Sequence, residues 1–213
     1  LKGDNVPIVR FGCMFSNAAY MGFPLIQALF GSEGLIYASA FVTAFNIFLW
    51  TLGYSIVSRT FDLKAIVKKI FTTPVFIGLL IFIAGIPLPD IISQPISYAA
   101  AINTPLSMFI TGMIIAASPI KNMFNNKLVY FAIIVRMFII PVVCIVIFKI
   151  FNISGMVADV VIILEACPCA SISSVFAVQF GYDEDVAAAM VVLTTFISII
   201  TLPAVALIIT TLI

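Results

Sequence analysis

The chain has 213 residues, of which 63% are hydrophobic and only 9% charged, with a formal net charge of +1 and a mean hydropathy of +1.28. That is too little polar surface to cover a water-soluble globule, and it points to an integral membrane protein. The absence of histidine removes His-based zinc sites, His-ligated haem and Ser-His or Cys-His nucleophile pairs. With no Gly-rich phosphate loop leading into Lys-Ser or Lys-Thr, direct use of ATP is not expected either.

About 20 helical residues cross a bilayer core of roughly 30 Å. The apolar runs have that length and lack strand-like alternation, so the expected fold is all-α and polytopic. Charges, glycines and prolines mark seven predicted spans, near residues 8–29, 35–58, 73–89, 97–118, 128–150, 157–180 and 185–211.

The first span is interrupted by Ser16-Asn17-Ala18-Ala19-Tyr20-Met21-Gly22-Phe23-Pro24, with Gly22 and Pro24 read as its structural breaks, and it reaches a Phe30-Gly31 step. The second carries Asn46 and a breaker at Gly53. A basic, polar connection over residues 59–72 reads as a linker between two repeats. Asn103-Thr104-Pro105 predicts a kink in the fourth span, and Gly112, Ala116 and Ala117 predict close helix packing. Arg136 lies inside the fifth. The sixth holds Glu165, is interrupted at Cys167-Pro168-Cys169-Ala170-Ser171, and reaches a second step, Phe180-Gly181. Asp183, Glu184 and Asp185 then precede the last span, which has its own breaker at Pro203.

The two interruptions are in register. Asn17 and Cys167 each precede their Phe-Gly step by thirteen residues, at an offset of 150, and Gly53 and Pro203 repeat that offset. Two interrupted spans in corresponding places mark a secondary transporter built from repeats. A broken membrane helix exposes backbone amides and carbonyls, which is tolerable only where they face protein, substrate or water. The N-terminal end of each half-helix carries partial positive charge that suits a carboxylate. Ser16, Asn17 and Tyr20 in the first break, and Ser171, Ser173 and Ser174 in the second, are placed to add hydrogen bonds. The alternative is that Pro24 and Pro168 merely kink their helices; the common register weighs against it.

A charge at mid-helix costs about 2.5–3.5 kcal/mol on insertion scales, so Arg136 and Glu165 each call for a partner or a role. Counted at 1.5 Å per residue from opposite faces, each is about 13 Å deep, which brings them to a similar level. They either approach one another, or Glu165 is neutral and carries a coupling proton. The competing reading has Arg136 snorkelling and Glu165 capping local backbone. Thiols on both sides of Pro168 are a soft-metal pattern, against which Cys is also a small apolar packing residue. Four cysteines in apolar runs do not make a disulfide framework.

When the spans are threaded alternately, Lys2, Arg10, Arg59, Lys64, Lys68, Lys69, Lys121 and Lys127 share one face, which the positive-inside rule makes cytoplasmic. The linker is then inside and the C-terminus outside. The chain opens Leu1-Lys2-Gly3, and two spans precede the linker while five follow it. On the repeat argument about three further helices are expected upstream.

These residues resemble the auxin efflux carriers, a family that includes plant hormone exporters and bacterial permeases for malate, malonate and related acids. The resemblance rests on Asn17-Ala18-Ala19-Tyr20-Met21-Gly22-Phe23-Pro24-Leu25, Phe30-Gly31 and Trp50-Thr51-Leu52-Gly53. It continues through Met108-Phe109-Ile110-Thr111-Gly112-Met113, Val135-Arg136-Met137-Phe138-Ile139-Ile140-Pro141 and Ala166-Cys167-Pro168. It ends on Phe176-Ala177, Phe180-Gly181-Tyr182-Asp183 and Leu202-Pro203.

The resemblance implies ten helices in two inverted five-helix repeats, this chain corresponding to the fourth through tenth of an N-terminally truncated bacterial organic-acid permease-like member. It implies a mobile transport domain (1–58 and 121–213), the linker (59–72) and a scaffold (73–120). Asn17 matches the substrate-contacting Asn of the first crossover and Pro168 the proline of the second, while Ser16 replaces the proline that plant members carry before that Asn. The expected substrate site is Ser16, Asn17, Tyr20, Cys167, Pro168 and Ser171, with Glu165 and Arg136 for coupling. No catalytic residue, metal site, cofactor or nucleic acid is expected. The expected partners are a small organic anion, a proton or sodium ion, the lipid bilayer, and a second copy joined through the scaffold. The expected location is the bacterial inner membrane.

Overall fold

The computed structural model describes residues 3–60, 77, 78, 80, 81, 84–117, 124 and 126–212. Most of the predicted linker, residues 73–76, 79, 82 and 83 of the predicted third span, and the side chains of Asn103 and Thr104 lie outside the described residues.

Helix α1 (Val6–Met14) has Pro7 in its first turn, where the missing amide would be unpaired in any case. After a gap, a π-helical turn (Ala18–Gly22) opens α2 (Phe23–Phe48), and a second π turn (Leu49–Gly53) leads into α3 (Tyr54–Ser58). Gly31 bends α2 sharply, at φ 61° and ψ −151°, a conformation essentially reserved for glycine. Helix α4 is Asp90–Ala117. Helix α5 (Lys127–Ile134) is capped by the Asn126 side chain, which accepts the Leu128 N–H at 2.9 Å. A third π turn (Val135–Ile139) joins α5 to α6 (Ile140–Ile150). Helices α7 (Met156–Ala166) and α8 (Ile172–Phe180) are the halves of the second broken span, and α9 (Glu184–Leu212) closes the chain. The Asp183 carboxylate accepts the amides of Asp185 and Val186 at 3.0 and 3.3 Å, fixing the start of α9.

Among the described residues every named element is helical, as the apolar runs require, and the protein is an all-α polytopic membrane protein. Three described stretches are long and apolar enough, by length and composition, to cross a bilayer: Ala18–Ser58, Lys127–Ile150 and Glu184–Ile209. The predicted fourth span starts earlier than expected, at Asp90, whose carboxylate suits a helix N-terminus. A Cβ on Gly112 would meet nothing within 4 Å, so the close packing expected there is not formed among the described residues.

Two buried clusters hold the described helices together. One gathers Phe11 of α1, Val57 of α3, Val129 and Ala132 of α5, and Phe176 of α8 around Met190 of α9. The ring of Phe176 is its hub, 5.2 Å from Phe11 and 5.9 Å from both Trp50 and Phe180 in edge-on geometry. The other joins Ile26 and Val42 of α2 to Ile162 and Leu164 of α7 and to Leu202 and Ile209 of α9. The first half of one broken helix thus packs with the second half of the other. The interruptions lie between the two clusters.

Candidate functional site

The chain leaves helical geometry at Phe15 (φ −110°, ψ 122°) and again at Cys167 (φ −61°, ψ 151°). These extended segments pair with one another as a fragment of antiparallel ladder centred on Ser16 and Cys169. Asn17 N–H donates to the Pro168 carbonyl at 2.7 Å, and Ala170 N–H donates to the Phe15 carbonyl at 3.0 Å. The Cys169 amide donates to the Thr194 hydroxyl of α9 at 3.1 Å. Backbone groups freed by each break are therefore satisfied largely by the other, as a buried interruption requires.

Gly22 and Pro24, expected as breaks, are helical. Gly22 has φ −68° and ψ −47°, and Pro24 lies in the first turn of α2. The true break is Phe15–Asn17. Gly22 serves packing instead, since a Cβ there would run into the Leu164 side chain of α7. Pro24 follows the π turn by two residues, as Pro141 follows the one containing Arg136. In both places widening to a π turn accompanies a proline that cannot donate to the carbonyl four residues back.

Arg136 is fully buried, so it does not snorkel. Its Nε donates to the Cys167 carbonyl at 3.0 Å and its Nη1 to the Cys13 carbonyl at 3.4 Å. Nη2 donates to the Glu165 carbonyl and reaches the Glu165 carboxylate at 3.1 Å. One guanidinium thereby covers carbonyls at the C-terminal ends of both α1 and α7, where the helix dipoles concentrate negative charge. Glu165 balances its charge formally. This leaves the opposite side of the crossing, where the following half-helices begin, with uncompensated positive ends.

That side opens on a cavity of about 170 Å³. Ser16, Asn17, Tyr20 and Ser171 line it, joined by Asn46 and Trp50. Asn17 Nδ2 donates to Ser171 Oγ at 3.1 Å, which leaves the Ser171 hydroxyl proton to donate elsewhere. Ser16 is 2% exposed and its hydroxyl has no hydrogen-bond partner among the described residues. A buried hydroxyl without a partner is costly, and here it sits on the cavity wall. The amides of Ala18 and Ala19, and of Ile172, open the two half-helices, positions that helix geometry leaves without intrahelical acceptors.

Cys167 and Pro168 belong to the crossing but do not line this cavity. The Cys167 thiol is directed back to the Ile163 carbonyl at 3.5 Å, and Pro168 contributes its carbonyl to Asn17. Ser173 bonds the Ala170 carbonyl at 2.6 Å. Among the described residues no three Cys, Asp or Glu side chains are grouped to hold a metal ion. Glu165 faces a separate, mostly apolar cavity of about 310 Å³ with Phe41, Phe45 and Phe48.

Sequence reasoning missed the contribution of Trp50 and undervalued Asn46. The signal was available: Asn46, Leu49 and Trp50 recur at i, i+3 and i+4, which puts a polar residue on the same helix face as the chain's single tryptophan. Thr194 gives no such signal, because hydroxyls in a membrane helix ordinarily bond their own backbone.

A model of the membrane transport protein family matches residues 4–66 and 57–206. An uncharacterised transporter of Methanothermobacter thermautotrophicus is 22% identical over 192 residues, which covers 88% of this chain and 63% of that protein. An uncharacterised transporter of Methanocaldococcus jannaschii is 24% identical over 210 residues, covering 94% of this chain and 67% of that protein. The chain thus spans about two thirds of the length of these relatives.

Proposed function

We propose the following function for this chain, which belongs to the membrane transport protein family, that of the auxin efflux carriers: it forms the substrate-carrying part of a secondary transporter for a small organic anion, a carboxylate. The observation that carries the reading is the cavity at the crossing. Two half-helix N-termini, the Asn17–Ser171 pair and the buried, unpartnered Ser16 hydroxyl converge there, and no full cation is needed to hold a carboxylate in such a place. Arg136 is committed to the opposite ends of the helices, so it serves the frame rather than the ligand.

In this reading the crossing moves between the two membrane faces in an elevator-like alternating-access cycle, within a transport domain of residues 1–58 and 121–213, against a scaffold containing residues 73–120. The residue 59–72 linker is cytoplasmic. An ion gradient, of protons or sodium, drives the cycle, and Glu165 is the group we assign to coupling because its carboxylate is 24% exposed while paired to Arg136.

The test is flux of radiolabelled mono- and dicarboxylates into proteoliposomes containing the full-length protein. Asn17→Ala is expected to reduce uptake of the carried acid at least tenfold, with thermal stability within a few degrees of the parent. Absence of carboxylate flux from a folded, correctly inserted protein overturns the carboxylate reading and favours a neutral solute, a soft metal ion or a receptor role. Glu165→Gln with unchanged uptake and unchanged pH dependence overturns the coupling role.

A further inference from the structure

Two cavities adjoin on α2. The polar one at the crossing, of about 170 Å³, and the mostly apolar one of about 310 Å³ that Glu165 faces have a single lining residue in common among the described residues, Phe45. Its neighbours divide between them. At about 3.6 residues per turn, Phe41, Phe48 and Leu52 fall on one stripe and line the apolar cavity, while Leu49 faces the polar one and Phe45 stands on the border. The first break repeats the division. Its extended backbone at Phe15 (φ −110°, ψ 122°) sends successive side chains to opposite sides, so Phe15 lines the apolar cavity and Ser16 the polar one.

The Phe45 ring is held from the apolar side. It meets the Phe15 ring edge-on at 5.4 Å and stacks on the Phe41 ring at 5.9 Å. A cavity of about 170 Å³ lies below the range of about 300–1,000 Å³ that takes drug-sized ligands, so the polar site by itself suits a short acid. The neighbouring cavity has room for an apolar tail but not for a second carboxylate, which would meet the Glu165 carboxylate among aromatic rings.

We infer that Phe45 is a specificity-determining residue that sets the length of the carried acid. With the ring in place the polar cavity is closed against the apolar one and takes short-chain carboxylates. With the ring removed the two cavities join, and a monocarboxylate held at the crossing lays its tail against Phe41, Phe48 and Leu52. The inference rests on the carboxylate-transport reading and adds to it a limit on chain length.

The experiment is isothermal titration calorimetry of the full-length protein in detergent micelles with butyrate, hexanoate and adipate, each corrected by a protein-free micelle blank. Each methylene moved from water into an apolar cavity is worth about fourfold in Kd. In the parent, hexanoate is expected to bind no more tightly than butyrate, because its two further methylenes meet the ring. In Phe45→Ala, hexanoate is expected to bind about tenfold more tightly than butyrate, while adipate, of the same length with a carboxylate at each end, gains nothing. A hexanoate-to-butyrate ratio that is the same in parent and variant overturns the role of Phe45 and leaves carboxylate binding standing. So does an equal gain for adipate, which would mean a site loosened in general rather than joined to the Glu165 cavity. Should the Ala variant fail to fold, Phe45→Leu decides, with an expected gain for hexanoate of about threefold. Failure of the folded parent and variant to bind any of the three acids counts against both readings.

Discussion

Replacing Arg136 with methionine removes a buried guanidinium and keeps an unbranched apolar stem, and the structure sets the expected loss. Three carbonyls, those of Cys13, Glu165 and Cys167, lose their donor, and the Glu165 carboxylate loses its counter-charge. Breaking a buried pair costs about 3–5 kcal/mol; the lower figure applies because Glu165 is 24% exposed and partly screened. Each carbonyl left without a partner adds about 1 kcal/mol, which brings the total to roughly 6 kcal/mol. The measurement is equilibrium unfolding of the full-length protein in mixed detergent micelles, followed by circular dichroism. Arg136→Lys keeps the charge but cannot span carbonyls lying in different directions, so it should recover about half of the loss. The decisive arm repeats Arg136→Met in a Glu165→Gln background. If the guanidinium chiefly holds the helix ends, about 3 kcal/mol of loss persists there. A loss below about 1 kcal/mol in that background would show that Arg136 serves the carboxylate alone, and the account of it as the bridge between the two breaks would fall.

The glycines give further tests in the same unfolding assay. A Cβ on Gly53 would lie 2.7 Å from the Phe15 ring and 2.8 Å from the Phe11 ring, rigid neighbours with little room to yield, so Gly53→Ala should cost about 1–3 kcal/mol. Gly22→Ala meets the end of the flexible Leu164 side chain and should cost less; the reverse order would refute the packing described. Gly31 and Gly181 both have open space around them and positive φ, 61° and 69°, so their substitution tests backbone strain alone. Gly181→Asn should cost only a few tenths of a kcal/mol, because asparagine tolerates the left-handed region at a helix end. Gly31→Asn, forced towards ψ −151°, should cost about 1–3 kcal/mol.

Features legible in the sequence were those that one periodic segment expresses by itself. The Phe-Gly steps put the two breaks in register, and the structure gives both glycines positive φ. The rise per residue brought Arg136 and Glu165 to one level, and their side chains meet at 3.1 Å. The lengths of the fifth, sixth and seventh spans follow the apolar runs to within a residue or so. What could not be read depends on approach between distant segments. Gly22 looked like a breaker because glycine is one in isolation; its reason for being there is Leu164, on another helix. Pro24 resembled a kink, yet the chain had already broken at Ser16, where no residue is intrinsically helix-breaking and the partner strand around Cys169 supplies the alternative hydrogen bonds. A carboxylate partner for Arg136 is one of the alternatives that the sequence leaves open, whereas its carbonyl acceptors leave no trace in side-chain identity.

The same bonds bear on how the proposed transporter would move. Asn17 to Pro168, Ala170 to Phe15, Asn17 to Ser171 and the Arg136 bonds to Cys13, Glu165 and Cys167 all cross between segments more than 25 residues apart. Separating the two breaks would expose these groups together in a low-dielectric interior, at about 1–3 kcal/mol for each one left unpaired. A cycle that opened the site by parting the broken helices would meet that cost at every turnover. Carrying the crossing intact avoids it, because these bonds and the two buried clusters, whose buried members all lie in residues 1–58 and 121–213, then move together as one body. The geometry of the breaks therefore favours a rigid carrier over a splitting gate. A disulfide between Ser16→Cys and the native Cys169, which stand opposite one another in the ladder, in a background with the other cysteines replaced, should leave transport within about twofold of the same variant reduced; loss of flux on crosslinking, reversed by reduction, would show that the breaks part after all.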